Sequence, residues 1–208
     1  MSCDAGLVNY NVLMSIGDRM LNRKVFALVV ASVVFNLAAK ASEPTAFDLI
    51  KEGNRYVGEQ AKDKVIEIHS EKSVGTLTPK VWHVLYFDPT ATMKSVDVKF
   101  AAGKMVDVKR PFRLIERATG NKVLEPEKLK IDSDKAIQKA LKEPILENIK
   151  VKSVEAKLEG SDTGPVWKIK MWAQKLKNPN DTADIGVITL TADDGKVIDT
   201  DVHTNRVD

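Results

Sequence analysis

The chain has 208 residues, of which 43% are hydrophobic and 29% charged, with a formal net charge of +3. That is apolar material enough for a core without disulfides or a structural metal. Without the first 41 residues, 28 basic and 27 acidic residues remain, interspersed as in K-L-K-I-D-S-D-K at 128–135, so the concentrated basic stripe of a nucleic-acid partner is missing and none is expected.

Residues 20–42 are laid out as a secretory signal peptide. Arg23 and Lys24 form a short basic start, Val25 to Ala39 an apolar run, and Ala39-Lys40-Ala41 the small-x-small pattern of a signal-peptidase site. A membrane anchor is the competing reading, but a spanning helix needs about 20 apolar residues, and this run is shorter and contains Asn36. Cleavage is expected after Ala41, with Ala39 and Ala41 as the recognition positions. That leaves no membrane span and places the protein in the periplasm or outside the cell. Met20 reads as an alternative start. The single cysteine, Cys3, lies upstream of the cleavage site, so a mature chain would have neither thiol catalysis nor thiolate metal ligation.

The first globular element is a helical pattern at 47–57, with Leu49, Ile50, Tyr56 and Val57 as a loose stripe interrupted by Gly53. An alternating strand, K-V-I-E-I-H, follows at 64–69, then P-K-V-W-H-V-L-Y-F at 79–87 and V-D-V-K-F-A-A-G-K-M-V-D-V at 96–108. Residues 112–126 read as a partly extended connection turning at Thr119-Gly120-Asn121. A second helix is predicted at 132–143, where Ala136, Ile137, Ala140 and Leu141 make one stripe, Asp132 or Ser133 caps the start and Pro144 ends it. Strands follow at 149–158 and in P-V-W-K-I-K-M-W (165–172); residues 173–184, with Asn178-Pro179-Asn180, read as a long polar loop, and V-I-T-L-T-A-D-D-G-K-V-I-D-T (187–200) as a closing hairpin.

The second series repeats the first. Tryptophan to glycine spans 21 positions from Trp82 to Gly103 and 28 from Trp167 to Gly195, and the seven extra residues are assigned to the 173–184 loop. Strand alternation puts Trp82, Val84 and Tyr86 on one face, matched by Trp167, Ile169 and Met171, and both sets are assigned to the core under a helix. His83 falls on the other face, where the second series has Lys168, and reads as a surface histidine. A three-residue turn Asp193-Asp194-Gly195 would set Leu190 opposite Ile198, Ile188 opposite Thr200 and Thr189 opposite Asp199. The same rule would set Val98 opposite Val106 and Asp97 opposite Asp107.

D-S-D-K-A-I-Q-K-A-L, then V-W-K-I-K-M, then T-A-D-D-G-K-V-I make the second series resemble the PepSY domain family. The resemblance covers roughly 130–203, and 45–110 less closely. It implies an α+β fold of two tandem PepSY- or cystatin-like units, each a helix packed on an antiparallel sheet, in a secreted or periplasmic protein. The boundaries expected are 1–41 for the N-terminal extension and signal peptide, 42–118 for the first repeat and 119–208 for the second. It also implies a non-enzymatic protein that binds or inhibits peptidases, with no catalytic residues to carry over.

The residues themselves offer little chemistry. Set as a calcium loop with Gly195 at position six, Asp194 and Asp201 fit positions five and twelve, but Leu190 and Ala192 occupy positions one and three and the flanks are strands. Asp199, Asp201 and His203 form a polar stripe that suits a weak divalent site or a solvated face. His69, His83 and His203 are scattered over different strands, and neither Gly-x-Ser-x-Gly nor His-Glu-x-x-His occurs. Trp172, outward-facing beside the long loop, is either packed under that loop or exposed as a contact anchor. The expectation is a non-catalytic binding protein without a cofactor, partnered by a peptidase or other envelope protein. The alternative is a binder of a small molecule or divalent metal.

Overall fold

Thr45 starts the first helix, α1 (Ala46–Gly53), through a reciprocal capping box with Asp48. The second helix, α2 (Ser133–Leu141), is capped by Asp132. These caps also serve α1: its first two amides donate to α2's cap residues, Ala46 N to Ser133 Oγ (3.1 Å) and Phe47 N to Asp132 Oδ1 (3.2 Å). Two helix starts are thereby tied together at groups that would otherwise lack intrahelical partners. The computed structural model describes residues 43–110 and 122–208. Cys3, the signal segment with Ala39 and Ala41, and the turn expected at Thr119-Gly120-Asn121 lie outside the described residues.

The protein is α+β, with one eight-stranded antiparallel sheet and, among the described residues, these two α-helices. The strands are β1 (Val65–Ser70), β2 (Val81–Phe87), β3 (Ser95–Ala101), β4 (Lys104–Lys109), β5 (Val151–Ser161), β6 (Gly164–Gln174), β7 (Thr182–Thr191) and β8 (Val197–Val202). Their order in the sheet is β4-β3-β2-β1-β5-β6-β7-β8, so β1 and β5 meet at the centre. Two buried serines reinforce that junction: Ser70 Oγ accepts from Ala156 N and Ser73 Oγ from Val154 N, each at 2.9 Å.

Direct pairings carry one apolar row across all eight strands, Val108–Val98–Val84–Ile68–Leu158–Trp167–Leu190–Val197. This is the helix side. Leu49, Ala136, Ile137 and Ala140 join Trp82, Val84, Tyr86, Trp167, Ile169 and Met171 in a single buried cluster, as the strand alternation implied. Full burial of each such side chain contributes about 1.5–3 kcal/mol. Trp167 Nε1 donates to Ile131 O and Tyr86 Oη to Ile50 O, both at 2.8 Å, so the polar ends of these rings are satisfied.

The hairpins depart from the expected register. In β7–β8 the pairs Ile188–Thr200 and Thr189–Asp199 form as expected, but Leu190 faces Val197, and Ile198 is bulged out and half exposed. The turn holds four residues, Ala192–Gly195, because Thr191 N still donates to Lys196 O. In β3–β4 the turn is two residues, Ala102-Gly103, both with positive φ (47° and 75°). That geometry fits the right-handed twist of the strands, and it places Val98 opposite Val108 and Asp97 opposite Lys109, with Val106 bulged. The long loop also shrinks. The β6–β7 connection runs only from 175 to 181, as long as the 88–94 connection between β2 and β3. The extra residues instead lengthen β6, β7 and the hairpin turn. Helix α1 ends at Gly53, so Tyr56 and Val57 lie beyond it.

Candidate functional site

Next to the apolar row, and on the opposite face, a second row crosses the same eight strands: Asp107–Lys99–His83–His69–Lys157–Lys168–Thr189–Asp199. Every member is polar or charged. Like charges directly opposite one another destabilise a sheet, and the adjacent Lys157 and Lys168 are reconciled by Glu159, which bonds both ammonium groups at 2.5 and 2.6 Å. Burial pushes the Glu159 carboxyl up, yet the two lysines outweigh it and hold its pKa below the usual carboxylate value.

At the centre of the row the sheet brings together two histidines that sequence spacing left apart. His69 and His83 are directly paired across β1 and β2, with rings parallel to within 7° and centroids 4.8 Å apart. His69 Nδ1 lies 2.8 Å from Glu67 Oε1, and His83 Nδ1 lies 3.0 Å from Asp97 Oδ2. Glu71 Oε1 is 3.5 Å from His83 Nε2 and accepts from Lys99 Nζ at 2.6 Å. The hydrogen bond to Asp97 raises the His83 pKa above 6.5, against burial, with Glu71 adding to the rise. Lys99 holds the Glu71 carboxyl below its ordinary value. Lys157 reaches back to Glu67 at 3.4 Å, linking this cluster to Glu159 and Lys168. His83 is therefore not a freely solvated surface histidine; its side chain is only 18% exposed.

Trp172 lies farther along β6, half-buried, paired with Ser153 and Asp184. The ammonium groups of Lys72 and Lys170 stand over its ring, 4.3 and 5.1 Å from the centroid. Its neighbours are thus cations from the β1–β2 connection and from its own strand, an arrangement that favours the ring's negative face. Lys170 also pairs with Asp184 at 3.0 Å.

The aspartate-rich turn is occupied by its own backbone and neighbours. Asp193 pairs with Lys130, and Asp194 accepts from Thr191 Oγ1 and from Lys196 N. His203 Nε2 pairs with Asp201 Oδ1 at 3.0 Å, both side chains exposed. Each of the three histidines bonds a carboxylate. Among the described residues, no group of three or more His, Cys, Asp or Glu side chains could hold a metal ion. No described helix is long and apolar enough to cross a membrane.

A separate cleft of about 280 Å³ opens on the helix side. Pro44, Leu77, Pro79, Trp82, Ile137 and Leu141 supply its apolar walls, with Glu43 and Asp134 at its margin. Comparisons with protein-family models, with curated proteins and with solved structures returned no match to this chain.

Proposed function

We propose that the chain is an exported, non-catalytic binding protein made of two PepSY-like units, and that it engages a peptidase or other envelope protein through the sheet face opposite the helices. The observation that carries this reading is the unbroken polar row across eight strands, backed by an apolar row that anchors the same strands to the core. A rigid sheet of that width offers many fixed charges at little entropic cost on binding. Trp172, framed by Lys72 and Lys170, supplies an aromatic of the kind enriched at binding hot spots.

The two-unit reading rests on several correspondences. One helix followed by four strands occurs twice, and the sheet order is symmetric about the β1–β5 pair. Trp82 and Trp167 take equivalent places on β2 and β6, and the bulged Val106 and Ile198 equivalent places on the two edge strands. The non-catalytic reading rests on the histidines, which face carboxylates rather than a hydroxyl nucleophile.

Immobilised protein incubated with an envelope fraction is expected to retain a protein partner, and added protein to lower a peptidase activity of that fraction. Recovery of no partner together with unchanged peptidase activity would sink the reading. The cleft beside Trp82 favours a second reading, a small apolar ligand. A thermal-shift panel separates the two: a compound that raises the melting temperature in wild type but not in Ile137→Trp supports the cleft, and a flat response removes it.

A further inference from the structure

The chain's three histidines, His69, His83 and His203, each bond a carboxylate carried on the sheet face opposite the helices. His69 pairs with Glu67 at 2.8 Å, His83 with Asp97 at 3.0 Å and His203 with Asp201 at 3.0 Å. Strand pairing also fixes the charge of this face. The charged row across the eight strands holds three lysines and two aspartates. Two residues to one side of it runs Lys109–Asp97–Leu85–Glu67–Glu159, and to the other Glu155–Lys170–Val187–Asp201. Lys104, opposite Ala101, and Asp184, opposite Trp172, add one charge of each sign. Eight carboxylates therefore stand against six ammonium groups, an excess of two negative charges on a chain whose formal net charge is +3. Glu71 and Lys72, just past β1, cancel one another.

We propose that this face docks a basic, lysine- or arginine-rich segment of the partner, and that the three histidines release that segment as the surroundings turn acidic. The proposal rests on the reading of this face as a protein-binding surface and adds the partner's charge and its control. A cationic segment complements the negative excess. Neutral imidazoles leave that excess in place, whereas three imidazoliums convert it to an excess of one positive charge. Each imidazolium also occupies a carboxylate that the segment would otherwise use. The remaining charges beside the rings are Lys157 opposite His69, Lys99 opposite His83 and Glu71 at 3.5 Å from it, and, near His203, Arg206, which donates to the Asp184 carbonyl. Carboxylates, lysines and arginines keep their charge between about pH 5.5 and about pH 8.5, so the histidines are the groups that change it. At His83 the hydrogen bond to Asp97, with Glu71 adding to it, already favours the charged ring against burial.

The test is fluorescence anisotropy of labelled decalysine titrated with the full chain at about 10 mM ionic strength, where surface charges are least screened. Saturable binding is expected at about pH 8.5 and at least about threefold weaker binding at about pH 5.5. The triple variant His69→Gln/His83→Gln/His203→Gln should bind equally at both values. His203→Gln alone, at an exposed side chain, should shrink the difference without threatening the fold, which circular dichroism checks. Asp199→Asn/Asp201→Asn should weaken binding, and Asp134→Asn, on the helix side, should not. Three results overturn the proposal: no saturable binding at about pH 8.5, affinity in wild type that does not fall at about pH 5.5, or loss of binding in Asp134→Asn but not in Asp199→Asn/Asp201→Asn. A pH difference undiminished in the folded histidine variants overturns it as well. Envelope capture that is equal at both pH values overturns it while leaving the protein-binding reading in place. The expected decalysine profile without any captured envelope protein supports the basic-segment site and sinks that reading alone.

Discussion

Trp167 and Trp172 stand on the same strand and face opposite ways. Trp167 is fully buried and bonded to Ile131 O, whereas Trp172 is half-buried between two lysines. Trp167→Ala should cost about 3–5 kcal/mol in urea unfolding, the range for emptying a large aromatic site. Trp172→Ala should change stability by about 1 kcal/mol or less while weakening capture of the protein partner proposed above. Equal losses from the two substitutions would contradict the assignment of faces.

His83 makes stability depend on pH in a definite direction. Its folded-state pKa is raised by Asp97, so its contribution is fully present below the unfolded value and is lost as pH rises through the folded one. The melting-temperature advantage of wild type over His83→Gln should therefore be larger near about pH 5.5 than near about pH 8.5. The opposite trend would show that burial, rather than the carboxylates, dominates this ring. The sequence placed His83 on the outer face but gave no hint of His69 beside it. Their pairing depends on how the irregular stretch between Ser70 and Val81 folds back, and that stretch has no periodicity to read.

Among the elements, α2 was the most legible: its alanine stripe, cap and terminating proline are all local signals, and the helix forms within two residues of the predicted bounds. Its second role was hidden, because the bonds from Ala46 and Phe47 to Ser133 and Asp132 join segments more than eighty residues apart. Asp132→Ala removes caps from both helices at once and should cost about 1–2 kcal/mol, at the upper end for a cap. A loss of about 0.5 kcal/mol or less would mean that α1 does not depend on it.

Strand faces were legible from alternation, but turn lengths and bulges were not. A bulge shifts the phase of the alternation by one residue, but the two edge-strand bulges fall within the apolar pairs Met105-Val106 and Val197-Ile198, either member of which could face the core. The bulge at Ile185 relies on Gly186, whose φ is +115° and where an added Cβ would lie 1.9 Å from the Asp201 carbonyl oxygen. Gly186→Ala should destabilise by at least about 2 kcal/mol; a neutral result in urea unfolding would show that β8 can move away. Val106 and Ile198, bulged on the outermost strands, blunt both sheet edges against pairing with other chains.

At the scale of the molecule, the sequence predicts two helix-and-sheet series, and a single eight-stranded sheet was not legible in it. The β1–β5 junction is made by strands far apart in the chain and joined by bonds to Ser70 and Ser73, which no local pattern marks. That union turns two narrow faces into one continuous surface, with the helices and the cleft on one side and the charged row on the other. The binding function proposed above would belong to this surface and not to any local motif, which is why it is carried by the dispersed lysines, glutamates and histidines and not by the aspartate-rich turn.

Site-directed photocrosslinking tests this account most directly. Benzoylphenylalanine would replace Lys168 or Asp199 on the charged row, and Gln138 on the exposed side of α2, in chains of residues 1–208 expressed in cells. Protein adducts are expected from Lys168 and Asp199 and not from Gln138. Adducts formed only from Gln138, or none from any of the three positions, would contradict the claim that the sheet face opposite the helices is the binding surface.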